Sequence, residues 1–178
     1  MGTIYREIRQ TRPFARREEE ALVALFRTTD LLRTAATAVL DRWGISPEQY
    51  NALRILRGSH PGGHPTLDVA TRMVSRSPNI TRLIDKLIVR GFVQRQRSRG
   101  DRRVVTLRIT SEGLRATAEA STAMGRMILE NLSCLNESRL ASLIDALDAV
   151  RARITQSLHQ RAAEAGGSKR SPTGPTPR

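Results

Sequence analysis

Residues 77–110, SPNITRLIDKLIVRGFVQRQRSRGDRRVVTLRIT, change their hydrophobic period once, and that change decides the fold. From Ile80 to Ile88 the apolar residues Ile80, Leu83, Ile84, Leu87 and Ile88 recur at three- and four-residue steps. Such a stripe is one face of an amphipathic helix, and it leaves Asn79, Arg82, Asp85, Lys86 and Arg90 outward. Ser77-Pro78 reads as an N-cap followed by the proline that favours a first helical turn, and Gly91 reads as the C-terminal stop. After Gly91 the pattern shifts: Phe92 to Ile109, with Val93, Val104, Leu107 and Ile109 around the polar turn Ser98-Arg99-Gly100-Asp101, predicts a β-hairpin.

Upstream, Ser46-Pro47-Glu48-Gln49 combines an N-cap serine, a proline at the first helical position and a glutamine at the capping-box position. A helix carrying Tyr50, Leu53, Ile55 and Leu56 is therefore expected to start there and to stop before the turn formers His60 to Pro65. Thr66 is expected to cap a short helix through Leu67, Val69, Ala70 and Met73. That helix, a turn, and the helix over 77–90 make a helix-turn-helix. Before them, Leu22, Leu25, Phe26, Leu32, Ala36, Val39 and Leu40 form the apolar face of a long helix from Arg16 to Arg42, ended by Gly44. After the hairpin, helical spacing resumes from Thr110 or Ser111 through Leu114, Ala118, Met124, Met127, Ile128 and Leu132. Asn136 then caps a last helix whose Leu140, Leu143, Ile144, Leu147, Val150, Ile154 and Leu158 lie near heptad spacing. The fold class is mainly α with a small β-hairpin. Residues 1–15 read as an arm ordered only when docked, and 164–178 (EAGGSKRSPTGPTPR) as a disordered tail.

Charge locates the function. The chain of 178 residues carries a formal +13, of which residues 46–110 hold +9 (13 basic, 4 acidic side chains), residues 1–45 hold +2, and residues 111–163 hold none. A basic centre between nearly neutral arms suggests a polyanion-binding module on a scaffold with another task. The low aromatic content (3%) and the 39% hydrophobic residues fit one helix-rich unit. The single cysteine, Cys134, excludes an internal disulfide framework, and no apolar run suits a membrane span or signal peptide, so a cytoplasmic protein is expected. No phosphate loop, nucleophile elbow, metal motif or carboxylate pair points to an enzyme, and no cofactor is implied.

Within the basic centre, Ser77, Asn79, Thr81 and Arg82 are of the types that read base edges in the major groove, while Lys86 and Arg90 suit phosphates. Arg95, Arg97, Arg99, Arg102, Arg103 and Arg108 crowd the hairpin against one acid, Asp101. An arginine at a narrow β-turn can enter a minor groove, and a neighbouring carboxylate can orient its guanidinium. Arg103 with Asp101 is the expected pair, and Arg97, Arg99 and Arg102 join the DNA-binding set.

The stretch SPNITRLIDKLIVRGFVQRQRSRGDRRVVTLRITSEG resembles the signature region of the MarR family of winged helix-turn-helix transcriptional regulators: a recognition helix, a closing glycine, a hydrophobic pair, then a wing bearing Asp-x-Arg. The Asp-x-Arg falls on Asp101 and Arg103, a threonine or serine precedes the next helix, and WGISPEQYNALRIL is similar to the family's approach to its second helix. The resemblance implies a triangular homodimer in which the first helix (16–45) and the last helices (111–163) of each chain intertwine, with 46–110 as the DNA-binding domain. It further implies repression at a pseudo-palindromic double-stranded DNA operator, relieved by a small ligand or an oxidant. A ligand pocket is expected where the first, second and fifth helices meet the DNA-binding lobe, with Trp43 and Tyr50 as its aromatic wall or, equally, as core residues. Cysteine-based hydroperoxide sensing, known in one branch, finds no cysteine in the first helix here, and Cys134 reads as a small buried hydrophobe. His60 and His64 lie in a Pro-Gly loop without companion ligands, so no metal site is expected. The alternatives are a sequence-tolerant architectural DNA binder and a winged helix serving as a protein-interaction module.

Overall fold

The computed structural model describes residues 4–75, 79–97 and 105–167. The chain divides into two units, Met1–Glu130 and Asn131–Arg178. The first unit runs α1 (Ile4–Glu7), α2 (Arg17–Leu40), a 3-10 turn (Asp41–Trp43), α3 (Pro47–Gly58), β1 (His64–Pro65), α4 (Thr66–Arg72), α5 (Ile80–Val89), β2 (Val93–Arg97), β3 (Val105–Ile109) and most of α6 (Ser111–Leu132). The second consists chiefly of α7 (Glu137–Gly167).

Local signals act where they were read. Ser46 Oγ accepts from the Gln49 N–H at 3.2 Å and Gln49 Oε1 accepts from the Ser46 N–H at 2.9 Å, a reciprocal box that fixes the start of α3. Gly44 ends the first long helix in the left-handed region (φ 57°), and Gly91 follows α5 at φ 74°. Asn136 Oδ1 accepts from the Arg139 N–H at 3.0 Å and starts α7. The core sits under the helix-turn-helix: Leu40, Leu53, Leu56, Val69, Ile84, Leu87, Leu107 and Ala120 are fully buried in one cluster. Helices α2 to α6 and strands β2 and β3 all contribute to it, and α5 packs against α3, α4 and β2.

Several expectations are corrected. The segment His60 to Pro65 is not loop throughout. His64 and Pro65 form β1, antiparallel to β3 through His64↔Leu107 and Pro65↔Thr106, so the sheet has three strands in the order β1-β3-β2. Gly63 permits this approach: at φ 81° a Cβ there would lie 2.3 Å from the Leu107 carbonyl oxygen. Because the chain passes from β1 directly into α4, Pro65 takes the cap position, and Thr66 is the first helical residue with no side-chain cap bond. The recognition helix starts later than Ser77-Pro78 suggested. Asn79 is its N-cap, its Oδ1 accepting from the Arg82 N–H at 3.0 Å. The N-terminal arm, read as ordered only when docked, needs no correction: it contains a helical turn, α1, which rests on α2 with Ile4 buried and Glu7 4.0 Å from Arg27. Helix α7 continues to Gly167, into the stretch read as tail. Cys134 is exposed rather than buried, because it falls in the turn after α6, where its Sγ donates to the Asn131 carbonyl at 3.6 Å.

Candidate nucleic-acid interface

Helix α5 is two-faced for a packing reason. Leu83, Ile84 and Leu87 are buried and Ile80 and Ile88 pack against the same cluster, which forces Thr81, Arg82, Lys86 and Val89 into solvent. The backbone N–H of Arg82 is satisfied by the Asn79 cap, so the first turn is fixed and the Arg82 side chain projects from a rigid base. Asn79 is therefore committed through its Oδ1 to the helix, and only its amide N–H2 is left to donate. Val89 was not singled out in the sequence, yet it is 88% exposed beside this polar row. A valine there offers apolar contact of the kind that a thymine methyl accepts.

The hairpin is joined to the helix by charge. Arg95 on β2 donates to Asp85 Oδ1 at 2.7 Å, so the one carboxylate on this face of α5 is neutralised by the strand beside it. The sequence showed both residues but not their pairing, since the register of β2 against α5 is a tertiary property. The strands pair Val93↔Ile109, Gln94↔Arg108, Arg95↔Leu107, Gln96↔Thr106 and Arg97↔Val105. Leu107 and Ile109 point into the core, and the Nε of Arg108 is buried with no hydrogen-bond partner among the described residues. Ser77, Arg99, Asp101, Arg102 and Arg103, together with the Arg97 side chain, lie outside the described residues.

Arg90 does not stand free. Its Nη1 donates to the Trp43 carbonyl oxygen at 3.0 Å, forty-seven residues away in sequence. Thr110 secures the same corner from the other side: its Oγ1 donates to the Gly91 carbonyl at 2.7 Å and accepts from the Gly113 N–H at 3.0 Å, while its own N–H donates to the Phe92 carbonyl at 3.0 Å.

The two aromatic residues expected at a ligand site part company. Tyr50 belongs to the core, its hydroxyl donating to Ser121 Oγ at 3.0 Å, an oxygen that also accepts from Arg57 and donates to the Thr117 carbonyl. Trp43 is half-buried, its indole N–H donating to Glu119 Oε2 at 3.2 Å. It lines an open cleft of about 270 Å³ with Arg42, Glu119, Thr122, Ala123 and Arg126. Among the described residues no group of three or more His, Cys, Asp or Glu is placed to hold a metal ion.

Comparison with known proteins finds the same fold and a family for it. The model of the MarR family matches residues 45–105. A MarR transcription factor from Planctomyces limnophilus is 34% identical, with 77% of this chain and 99% of that one superposed at a TM-score of 0.59. This chain belongs to the MarR family. Its fold is shared by a cysteine-to-serine variant of MarR from E. coli complexed with operator DNA, at 19% identity, a TM-score of 0.67 and coverage of 78% and 99%. It is shared too by CouR from Rhodococcus jostii RHA1 bound to p-coumaroyl-CoA, at 22% identity, a TM-score of 0.65 and coverage of 77% and 95%. As a MarR-family protein this chain is a DNA-binding transcription regulator and not an enzyme. No helix among the described residues is long and apolar enough to cross a membrane.

Proposed function

We propose that this MarR-family regulator binds a pseudo-palindromic double-stranded operator as a homodimer, represses the genes beside it, and is released by a small ligand. The observation that carries the reading is α5: a helix locked by Leu83, Ile84 and Leu87 that presents Thr81, Arg82 and Lys86 outward within a segment of net charge +9. Arg82, near the N-terminal end, is assigned to a base edge, and Lys86 to phosphate, with Ser77, Thr81 and the Asn79 amide as the further DNA-contacting groups. The wing carries Arg97, Arg99, Arg102 and Arg103, with Asp101 orienting Arg103 toward a minor groove.

The domain organisation follows. Residues 46–110 bind DNA, and 16–45 with 111–163 dimerise. In the single chain Leu22, Phe26, Leu31 and Leu32 of α2, Ile128 and Leu129 of α6, and Ile144, Val150 and Ile154 of α7 are all exposed, Phe26 by 65%. Apolar faces of that extent on three long helices call for a partner, and a second copy offers the same faces in return. A protein that acts on operators works in the cytoplasm. The Trp43 cleft is the proposed effector site, and a bound acyl-CoA in a protein of the same fold, CouR, supports a small-molecule effector.

The test is a pair of variants titrated against an operator duplex and a scrambled duplex. Arg82→Ala is expected to lose about 1–3 kcal/mol of discrimination, as one good base contact does. Lys86→Ala should weaken both duplexes alike. Equal loss on both duplexes for Arg82→Ala would favour an architectural binder instead.

A further inference from the structure

Arg90 sits where a phosphate contact is expected, at the basic end of the recognition helix, yet its exposed guanidinium is already engaged within the protein. The Nη1 donates to the Trp43 carbonyl at 3.0 Å, and the Nη1–Nη2 edge of the guanidinium faces Gly44. A Cβ on Gly44 would stand 2.5 Å from Nη2, 2.6 Å from Nη1 and 2.9 Å from Cζ, so the absence of a side chain there is what admits the guanidinium. Trp43 and Gly44 form the turn that closes α2. The residues that follow the same helix end are fastened to the start of α6 by Thr110, through the Gly91 and Phe92 carbonyls. The recognition helix is thus tied at its C-terminal end to α2 and α6, in addition to the packing of Ile80, Leu83, Ile84 and Leu87 on the core.

We propose that Arg90 is a positioning residue: its guanidinium, seated on Gly44 and bonded to the Trp43 carbonyl, sets the angle of the recognition helix and thereby the half-site spacing that the dimer accepts. This rests on the dimeric operator reading above. The lever is adequate to the task. Ten residues of α5 span about 15 Å at 1.5 Å per residue, so a tilt of about 13° displaces one end against the other by about 3.4 Å, the rise of one base pair. Half-sites lie about one helical turn of DNA apart, and a one-base-pair error is then the natural unit of misfit.

A phosphate contact and a positioning contact predict different things. Losing a phosphate contact weakens every duplex by one factor and makes the salt dependence shallower by about 0.9 in slope. Losing the seat leaves the slope alone and relaxes the preference for one spacer. The full-length protein is used to select a two-box duplex from a randomised library, and that duplex is remade with its spacer one base pair shorter and longer. Wild type should prefer its own spacer by about tenfold or more, within the usual cost of one mismatch. Arg90→Ala and Gly44→Ala should both shrink that preference below about threefold with unchanged salt slope, the second without altering any charge. Thermal melts of both variants establish that they are folded. Uniform weakening across spacers with a shallower slope for Arg90→Ala, and wild-type spacer preference in folded Gly44→Ala, would overturn the proposal. Failure of wild type to select any two-box duplex would instead refute the operator reading, before any variant is made, and the inference would fall with it.

Discussion

Thr110→Val removes one oxygen and keeps the shape of the side chain, which isolates the polar role of the residue at the corner between wing, recognition helix and α6. The hydroxyl makes two bonds, to the Gly91 carbonyl at 2.7 Å and from the Gly113 N–H at 3.0 Å. The second satisfies one of the otherwise orphaned donors at the start of α6, and removing such a cap typically costs about 1 kcal/mol. The first contributes a net of about 0.5–1.5 kcal/mol, toward the lower end because Thr110 is only half-buried and water can reach the freed carbonyl. The combined loss is about 1–2 kcal/mol. For a chain of this length each kcal/mol moves the melting temperature by about 2–4 °C, so a drop of about 2–8 °C is expected. The assay is thermal unfolding followed by circular dichroism, at one fixed protein concentration because a dimer melts in a concentration-dependent way. Thr110→Ser retains the hydroxyl and should recover most of the loss. A Thr110→Val protein melting within about 1 °C of wild type, or a serine variant no better than the valine one, would refute the reasoning.

Three further outcomes are expected. Asp85→Asn frees Arg95 from its 2.7 Å partner and should steepen the salt dependence of binding to random duplex by up to about one in slope, with a stability change under about 1 kcal/mol; a slope that stays put would deny the pairing. Leu147→Asp places a carboxylate on the α7 stripe with Leu140 and Ile154, and should weaken dimerisation at least about a hundredfold in sedimentation velocity, since an unpaired buried charge costs several kcal/mol. Asp101→Ala should weaken operator binding although it deletes a negative charge, because the carboxylate orients Arg103; tighter binding in a labelled-duplex titration would reduce the wing to unspecific positive charge.

What the sequence revealed was local, and what it concealed was not. The Ser46–Gln49 box, the Gly91 stop and the Asn136 cap are complete within four residues of chain, so their chemistry could be read directly. The apolar stripe of α5 was equally plain, because burial of Leu83, Ile84 and Leu87 follows from spacing alone. Ser77 and Asn79 are both good caps, and the choice between them turned on where the core places Ile80 and Leu83, which spacing leaves open by one or two residues. Strand β1 is only two residues long, with a proline in it, and owes its existence to Leu107 and Thr106 more than forty positions later. The partner of Arg90 lies equally far off, and a basic residue at a helix end looks the same whether it meets a phosphate or a carbonyl. The turn at Ile4–Glu7 and the exposure of Cys134 depend likewise on what the rest of the chain packs against them.

The central claim, a sequence-specific regulator acting through paired half-sites, is tested most directly by competition of the wild-type protein between its selected two-box duplex and a scrambled duplex of equal length and composition, at about 0.15 M salt. A specific dimer should prefer the two-box duplex by about a thousandfold or more and lose most of that preference when one box is scrambled. Affinities within about tenfold of each other, insensitive to the loss of a box, would mean that the basic face of α5 and the wing grip the phosphate backbone alone, and would contradict the account.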